Sequence, residues 1–160
     1  MEVKPIKRNK NITRLSKDHH SGLLACWKIN RGINLNIATE RIKKYILFFW
    51  EDHLEQHFKE EELFLFDTMR DDKISTAIEQ HKSIREKIKM FAENDIADTF
   101  VLQQFAEELN DHIRYEERIL FPFLEKALSQ SRLQYIGAAL ENSHADNHNE
   151  NYRDEFWIAP

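Results

Sequence analysis

Glycine, proline and cysteine are scarce in this chain: three, three and one among 160 residues. With so few turn-forming residues, a sheet with many tight connections is a poor expectation, and long helices are a good one. The single cysteine, Cys26, allows no disulfide within the chain and no cysteine-based zinc site. It falls near the inward face of its helix and is most simply a small core residue. No apolar run approaches the roughly 20 residues of a membrane span, the densest being Tyr45 to Trp50. The N-terminus shows no segment of signal-peptide type, so a cytoplasmic protein is the expectation. The net charge of −5 gives no reason to expect nucleic acid or an anionic membrane as a partner. The one basic cluster, Lys4, Lys7, Arg8 and Lys10, reads as part of a solvated arm.

What the chain does have is a motif that occurs twice. His57-Phe58-Lys59-Glu60-Glu61-Glu62 is followed 55 residues later by His112-Ile113-Arg114-Tyr115-Glu116-Glu117, each running into an apolar stretch. On a helix, residues i and i+4 share one face at about 5–6 Å between Cβ atoms. An imidazole and a carboxylate so placed can bind one metal, or two with the carboxylate as a bridge. One such pair arises by chance in any Glu-rich helix; two in the same context point to a paired site inside a bundle.

Taken in order, residues 1–15 form an arm anchored by Ile12 and Leu15. A first helix follows from a Ser16 N-cap to about Arg31, with Leu23, Leu24 and Trp27 on its inward face and Gly32 as its stop. A second long helix runs from about Ile37 or Thr39 to Met69. Its inward positions include Ile42, Ile46, Phe49, Leu54, Phe58, Leu63 and Phe66. A third spans about 74–93, with Ile74, Ile78, Ile84, Ile88 and Phe91 inward, and Asn94-Asp95 marks the connection after it. A fourth spans about 98–127, with Phe105, Leu109, Ile119 and Leu120 inward, and is kinked or broken at Pro122. Short connections favour an all-α, up-down-up-down four-helix bundle over residues 16–128. Residues 129–160 add a short helix, with Leu133, Ile136 and Leu140 on one face, and a tail whose Phe156-Trp157-Ile158 docks on the bundle.

Single histidines on the first and third helices complete the layer. His81 has Ile78, Ile84 and Ile88 around it and faces the core. His19 and His20 are about 100° apart on a helix, so either can face inward; Leu23 and Trp27, three and seven residues on, favour His20. The candidate metal set is therefore His20, His57, Glu61, His81, His112 and Glu116. Two inward carboxylates beside four imidazoles are costly without a cation between them. If both bridge, each ion has two His and two carboxylate oxygens, leaving room for a bridging oxo or hydroxo group and an external ligand. Imidazole with carboxylate suits iron first and zinc second. His53, one turn before His57, reads as a pocket residue beside the metals. Glu60, Glu62 and Glu117 read as a solvated face or as partners for Lys and Arg. His144 and His148 are spaced as a helical pair, in a polar tail.

These motifs, with Leu120-Phe121-Pro122 after the second and one His upstream of each, resemble the hemerythrin-like, or HHE cation-binding, family of di-iron bundles. The resemblance implies that the four His bind two non-haem irons terminally and that Glu61 and Glu116 bridge them. It also implies a small ligand such as O₂ or NO. The oxygen-carrying hemerythrins have a fifth His four residues from another on the third helix; Ala77 and Arg85 stand there. That departure favours a more open site over reversible carriage. The first expectation is a protein that binds or senses O₂, NO or peroxide, rather than a dedicated enzyme. The alternatives are a di-iron oxidoreductase or iron donor in iron–sulfur repair, and a metal-free helical interaction module. A ferritin-type oxidase fits less well, since those sites use Glu-x-x-His.

Overall fold

The computed structural model describes residues 7–94, 97–143 and 150–159. Lys4 and Pro5 of the arm, Asp95, and the His144/His148 pair lie outside these. The regular structure among the described residues is all helical, with no strand. They form α1 (Thr13–Asn34), α2 (Thr39–Phe49), a π turn at Trp50–Leu54, α3 (Glu55–Phe64), α4 (Asp72–Glu93), α5 (Thr99–Tyr115), a second π turn at Glu116–Leu120, α6 (Phe121–Ala127) and α7 (Gln130–Ser143). Helix α1 packs on α2 and α5, and α4 packs on α2 and α5. No described helix is long and apolar enough to cross a membrane.

The helix ends have local causes. Asp71 caps α4 by accepting from the Lys73 amide at 2.8 Å, and Asp98 caps α5 by accepting from Val101 at 2.8 Å. Helix α1 starts at Thr13, before the expected Ser16 cap, and runs past Gly32. It is stopped by Asn36, whose φ of 56° is left-handed, with Asn36 N–H on the Ile33 carbonyl and Ile37 N–H on that of Gly32. This is a Schellman closure, which tolerates Asn. Gly32 instead serves packing: a Cβ there would stand 2.6 Å from the Phe156 ring and 3.2 Å from Ile42.

The inward face of α1 is Leu15, His19, Gly22, Ala25, Cys26 and Ile29. Leu24 and Trp27, expected inward, are 51% and 53% exposed. Leu63, Ile78 and Ile119 are likewise exposed. The second helix ends at Phe64 rather than near Met69, and it contains a π turn. Pro122 does not break its helix. It stands second in α6, with Phe121 between it and the second π turn, and α6 continues to Ala127. A proline cannot donate to the carbonyl four residues back and crowds it; the wider turn just before makes room.

The core has two parts. One joins Ala25, Ile29, Ile46, Phe58, Ile84, Ile88, Phe105 and Ile113; the other joins Ile12, Leu15, Leu65, Ala77, Leu120, Phe121, Ile136 and Leu140. Along α1 and α4 the chain passes from the second part to the first; along α3 and α5–α6 it passes the other way. In each case a histidine or glutamate lies between. The expected anchors Ile12 and Leu15 are fully buried, as are Leu133, Ile136 and Leu140 of α7. In the tail Phe156 is buried, Trp157 lies over Lys28 (4.2 Å from its ammonium to the ring), and Ile158 is exposed. Tyr45 donates to Glu150 at 2.8 Å, and Arg41 pairs with Asp154.

Since overpacking typically costs about 1–3 kcal/mol, Gly32→Ala is expected to destabilise by that order in urea unfolding. In a Phe156→Ala background the cost should nearly vanish, because the ring it meets is gone. An equal cost in both backgrounds would place the strain elsewhere.

Candidate metal centre

Four helical rods each send one imidazole into the layer between the two core parts. His19 comes from α1, His57 from α3, His81 from α4 and His112 from α5, all buried. Glu61 from α3 and Glu116 from the second π turn face them, both with 0% exposure. The structure thus brings together five of the six expected residues. The sixth is corrected: His20 is exposed and His19 takes its place. The physical reason is the face of α1. The bulky Leu24 and Trp27 point outward, while the small Gly22 and Cys26 let α1 sit close to its neighbours. A Cβ on Gly22 would stand 2.6 Å from Ile113.

The Nε2 atoms converge on the carboxylates. His57 Nε2 is 3.0 Å from Glu61 Oε1, and His81 Nε2 is 3.3 Å from Glu61 Oε1 and 3.4 Å from Glu116 Oε1. His112 Nε2 closes on Glu116, and His19 Nε2 is 3.7 Å from Glu61 and 3.8 Å from Glu116. Most of these approaches lack hydrogen-bond direction. Seven buried side-chain polar atoms among the described residues have no hydrogen-bond partner. Six belong here: the Nε2 atoms of His19, His57 and His112, both Glu61 oxygens, and Glu116 Oε2. Glu61, His81, His112 and Glu116 each offer one ligand atom within 4.8 Å of the others, as do His19, His57 and Glu61. Unpartnered buried polar atoms are expensive, and lone pairs gathered in this way fit a cation.

The opposite ring nitrogens are all engaged. His19 Nδ1 meets Glu117 at 2.9 Å, His57 Nδ1 meets Asp18 at 3.1 Å, His81 Nδ1 meets Glu62 at 2.7 Å and His112 Nδ1 meets Gln80 at 2.7 Å. An acceptor on Nδ1 leaves the Nε2 lone pair free to face a metal, the usual support for a ligating histidine. Neither Asp18 nor Gln80 was among the expected site residues. Glu62 and Glu117, expected on a solvated face or beside basic residues, do pair with Arg85 and Arg8 but also hold histidines. Glu60 is buried, not solvated, and accepts from Gln56 at 3.1 Å. A signal existed: in both halves the residue before the single His and the residue after the inward Glu can accept a hydrogen bond.

Rings wall the layer. Phe58 stacks on His81 at 3.7 Å between centroids, and Phe121 stacks on His19 at 5.3 Å. His53 stands beside the cluster, stacked on His57 at 6.2 Å with Nε2 3.4 Å from the Asp18 carbonyl. Burial pushes its pKa down. Burial also pushes the Cys26 thiol up to about 12, which keeps it inert. A small opening of about 240 Å³, lined by Arg8, Ser16, His20, Leu23 and Glu117, reaches His19. A larger hollow of about 610 Å³ along Leu63, Phe66, Ile78 and Arg85 touches Glu62 but none of the six converging residues.

These features define a class: a helical bundle with a buried His/Glu cluster compatible with a metal site. The model of the hemerythrin HHE cation-binding domain matches residues 12–124, and the chain belongs to that family. No curated protein and no solved structure matches it.

Without metal the cluster is a set of His–carboxylate pairs. Burial alone would lower the imidazoles, but the facing carboxylates win. Glu117 and Glu61 raise His19 to about 9, and Glu116, Glu61 and Glu62 raise His81 to about 10. Burial alone would raise Glu62 and Glu117, but His81 with Arg85, and His19 with Ser16 and Arg8, bring each to about 2. A raised imidazole contributes stability that is complete below its ordinary 6.5 and lost as pH climbs to 9–10. A lowered carboxyl contributes stability that is complete above 4.5 and lost as pH falls toward 2. The metal-free protein should therefore melt highest between about pH 4.5 and 6.5. His19→Gln should flatten the loss approaching pH 9. A melting temperature constant from pH 6.5 to 10 would mean that the imidazoles are neutral when folded.

Proposed function

We propose that this chain is a non-haem di-iron protein that binds or senses O₂ or a related small molecule such as NO or peroxide. The six converging, unpartnered donor atoms carry the reading. His19, His57, His81 and His112 would hold the ions terminally through Nε2, and Glu61 and Glu116 would bridge them. Bound there, iron would supply reversible redox chemistry and a position for a diatomic ligand. The protein's own part is to orient each imidazole through its Nδ1 acceptor and to exclude bulk water with Phe58, Phe66 and Phe121. The alternating passage of the helices between the two core parts is what an up-down-up-down bundle produces.

The fifth-histidine positions support binding and response over carriage. Ala77 is buried against the second core part, and Arg85 is committed to Glu62. Neither adds a ligand, so the pair would keep an open side.

The test is reconstitution with Fe(II) under anaerobic conditions, followed by O₂. Two irons per chain and ligand-to-iron charge-transfer bands in the near-ultraviolet are expected, and His112→Ala should lose both. Metal at 100 times its Kd should add about 2.7 kcal/mol of stability for each site filled. Bands that reverse when O₂ is removed favour a binder or sensor; bands that persist favour a redox enzyme or iron donor. No iron uptake and no band would leave a metal-free helical module.

A further inference from the structure

The outer acceptors differ between the two halves of the site. Glu117 and Glu62 are matched: both are carboxylates on a single histidine, and both meet an arginine, Arg8 and Arg85. Asp18 and Gln80 are not matched. Each stands one residue before a cluster histidine, and each accepts the Nδ1 proton of the histidine on the following rod, at 3.1 and 2.7 Å. The geometry is alike and the charge is not. A carboxylate acceptor draws the imidazole toward imidazolate and makes Nε2 a stronger donor; a neutral amide does so much less.

The inner donors do not offset this. His19 with His57, and His81 with His112, each supply two imidazoles. Glu61 belongs to both ligand groups. Glu116 Oε2 has no partner and lies 3.8 Å from His19 Nε2, so the second carboxylate can serve both sides. As they stand, four donors converge beside His81 and His112 and three beside His19 and His57; once Glu116 Oε2 serves the second group the two sets match, and the outer charge decides.

We propose that Asp18 and Gln80 are positioning residues that make the two metal positions unequal. The one between His19 and His57 binds its ion first and more tightly, and the one between His81 and His112 binds second. This rests on the metal reading above.

Asp18→Asn and Gln80→Glu change charge while nearly preserving shape, which suits a direct test. The full metal-free chain is titrated with Co(II) without air, followed by calorimetry and by the visible d–d bands. Two separate steps are expected. Asp18→Asn should weaken the first step by about 10–100-fold, the usual cost of losing an outer partner, so that the steps merge. Gln80→Glu should tighten the second by a similar factor. The double variant should again show two steps, in exchanged order. In labelled protein at one Co(II) per chain, the histidine Nδ1–H signals of His19 and His57 should shift in the parent, and those of His81 and His112 in the double variant. A merely structural Asp18 would lower both steps alike together with the melting temperature, and that result overturns the proposal. Two equal steps in the parent sink the proposal and spare the metal reading; no Co(II) uptake at all sinks both.

Discussion

Two carboxylates with no exposure, Glu61 and Glu116, are the constraint on which the rest of the molecule depends. An unpaired ionised carboxylate in an interior costs several kcal/mol even after relaxation. The surroundings answer that cost with positive charge, from His19 and His81, whose pKa values the carboxylates raise, when no metal is bound, or from a cation when one is. Four helices must then deliver one imidazole each to the same level, and the apolar core must part to let them through. The division of the core into two clusters is the geometric consequence. A bundle with a continuous core would be easier to stabilise, and this one gives up part of that stability to hold the polar layer.

The internal repeat extends beyond the ligand candidates. In each half, the residue before the single histidine accepts from the paired histidine of the next rod. Across halves, the glutamate after each inward glutamate accepts from the other half's single histidine. The two halves are thereby interlocked through the site. Ser16, read from sequence as a helix cap, belongs to the same shell: it accepts from Arg8 and donates to Glu117. The arm is thus tied to the cluster by Arg8, which also pairs with Glu125.

Much of this was legible in the residues because spacing alone determines it. Histidine and glutamate four apart share a face on any helix, and His81 has buried Ala77 four before it and Ile84 three after it. The errors came where size and local turns outweigh spacing. Leu24 and Trp27 drew the apolar face of α1 toward His20, whereas close approach of the helices selected the small side, Gly22 and Cys26, and with it His19. Gly32 looked like a stop because glycine often is one; its role is to admit Phe156, a residue 124 positions away, and no local pattern carries that. The π turns are equally silent in sequence. Both lie on the rods that carry the His-x-x-x-Glu pairs, as such turns often do near functional sites.

The inner donors are buried, and this gives the outer acceptors their influence. Phe58 and Phe121 stack on imidazoles, and the hollow along α3 and α4 stops at Glu62. In a medium of low dielectric a charge one hydrogen bond behind a ligand is felt strongly at the ligand's other nitrogen. The inner donors of the two halves are the same residue types in the same order, so they can contribute little difference between the two positions. With Glu116 shared between them, the outer acceptors are the clearest difference left. In this chain the matched pair, Glu62 and Glu117, is balanced by arginines, and the difference falls on Asp18 against Gln80. A single charge set outside the donor set can therefore distinguish two positions that the motif itself makes alike.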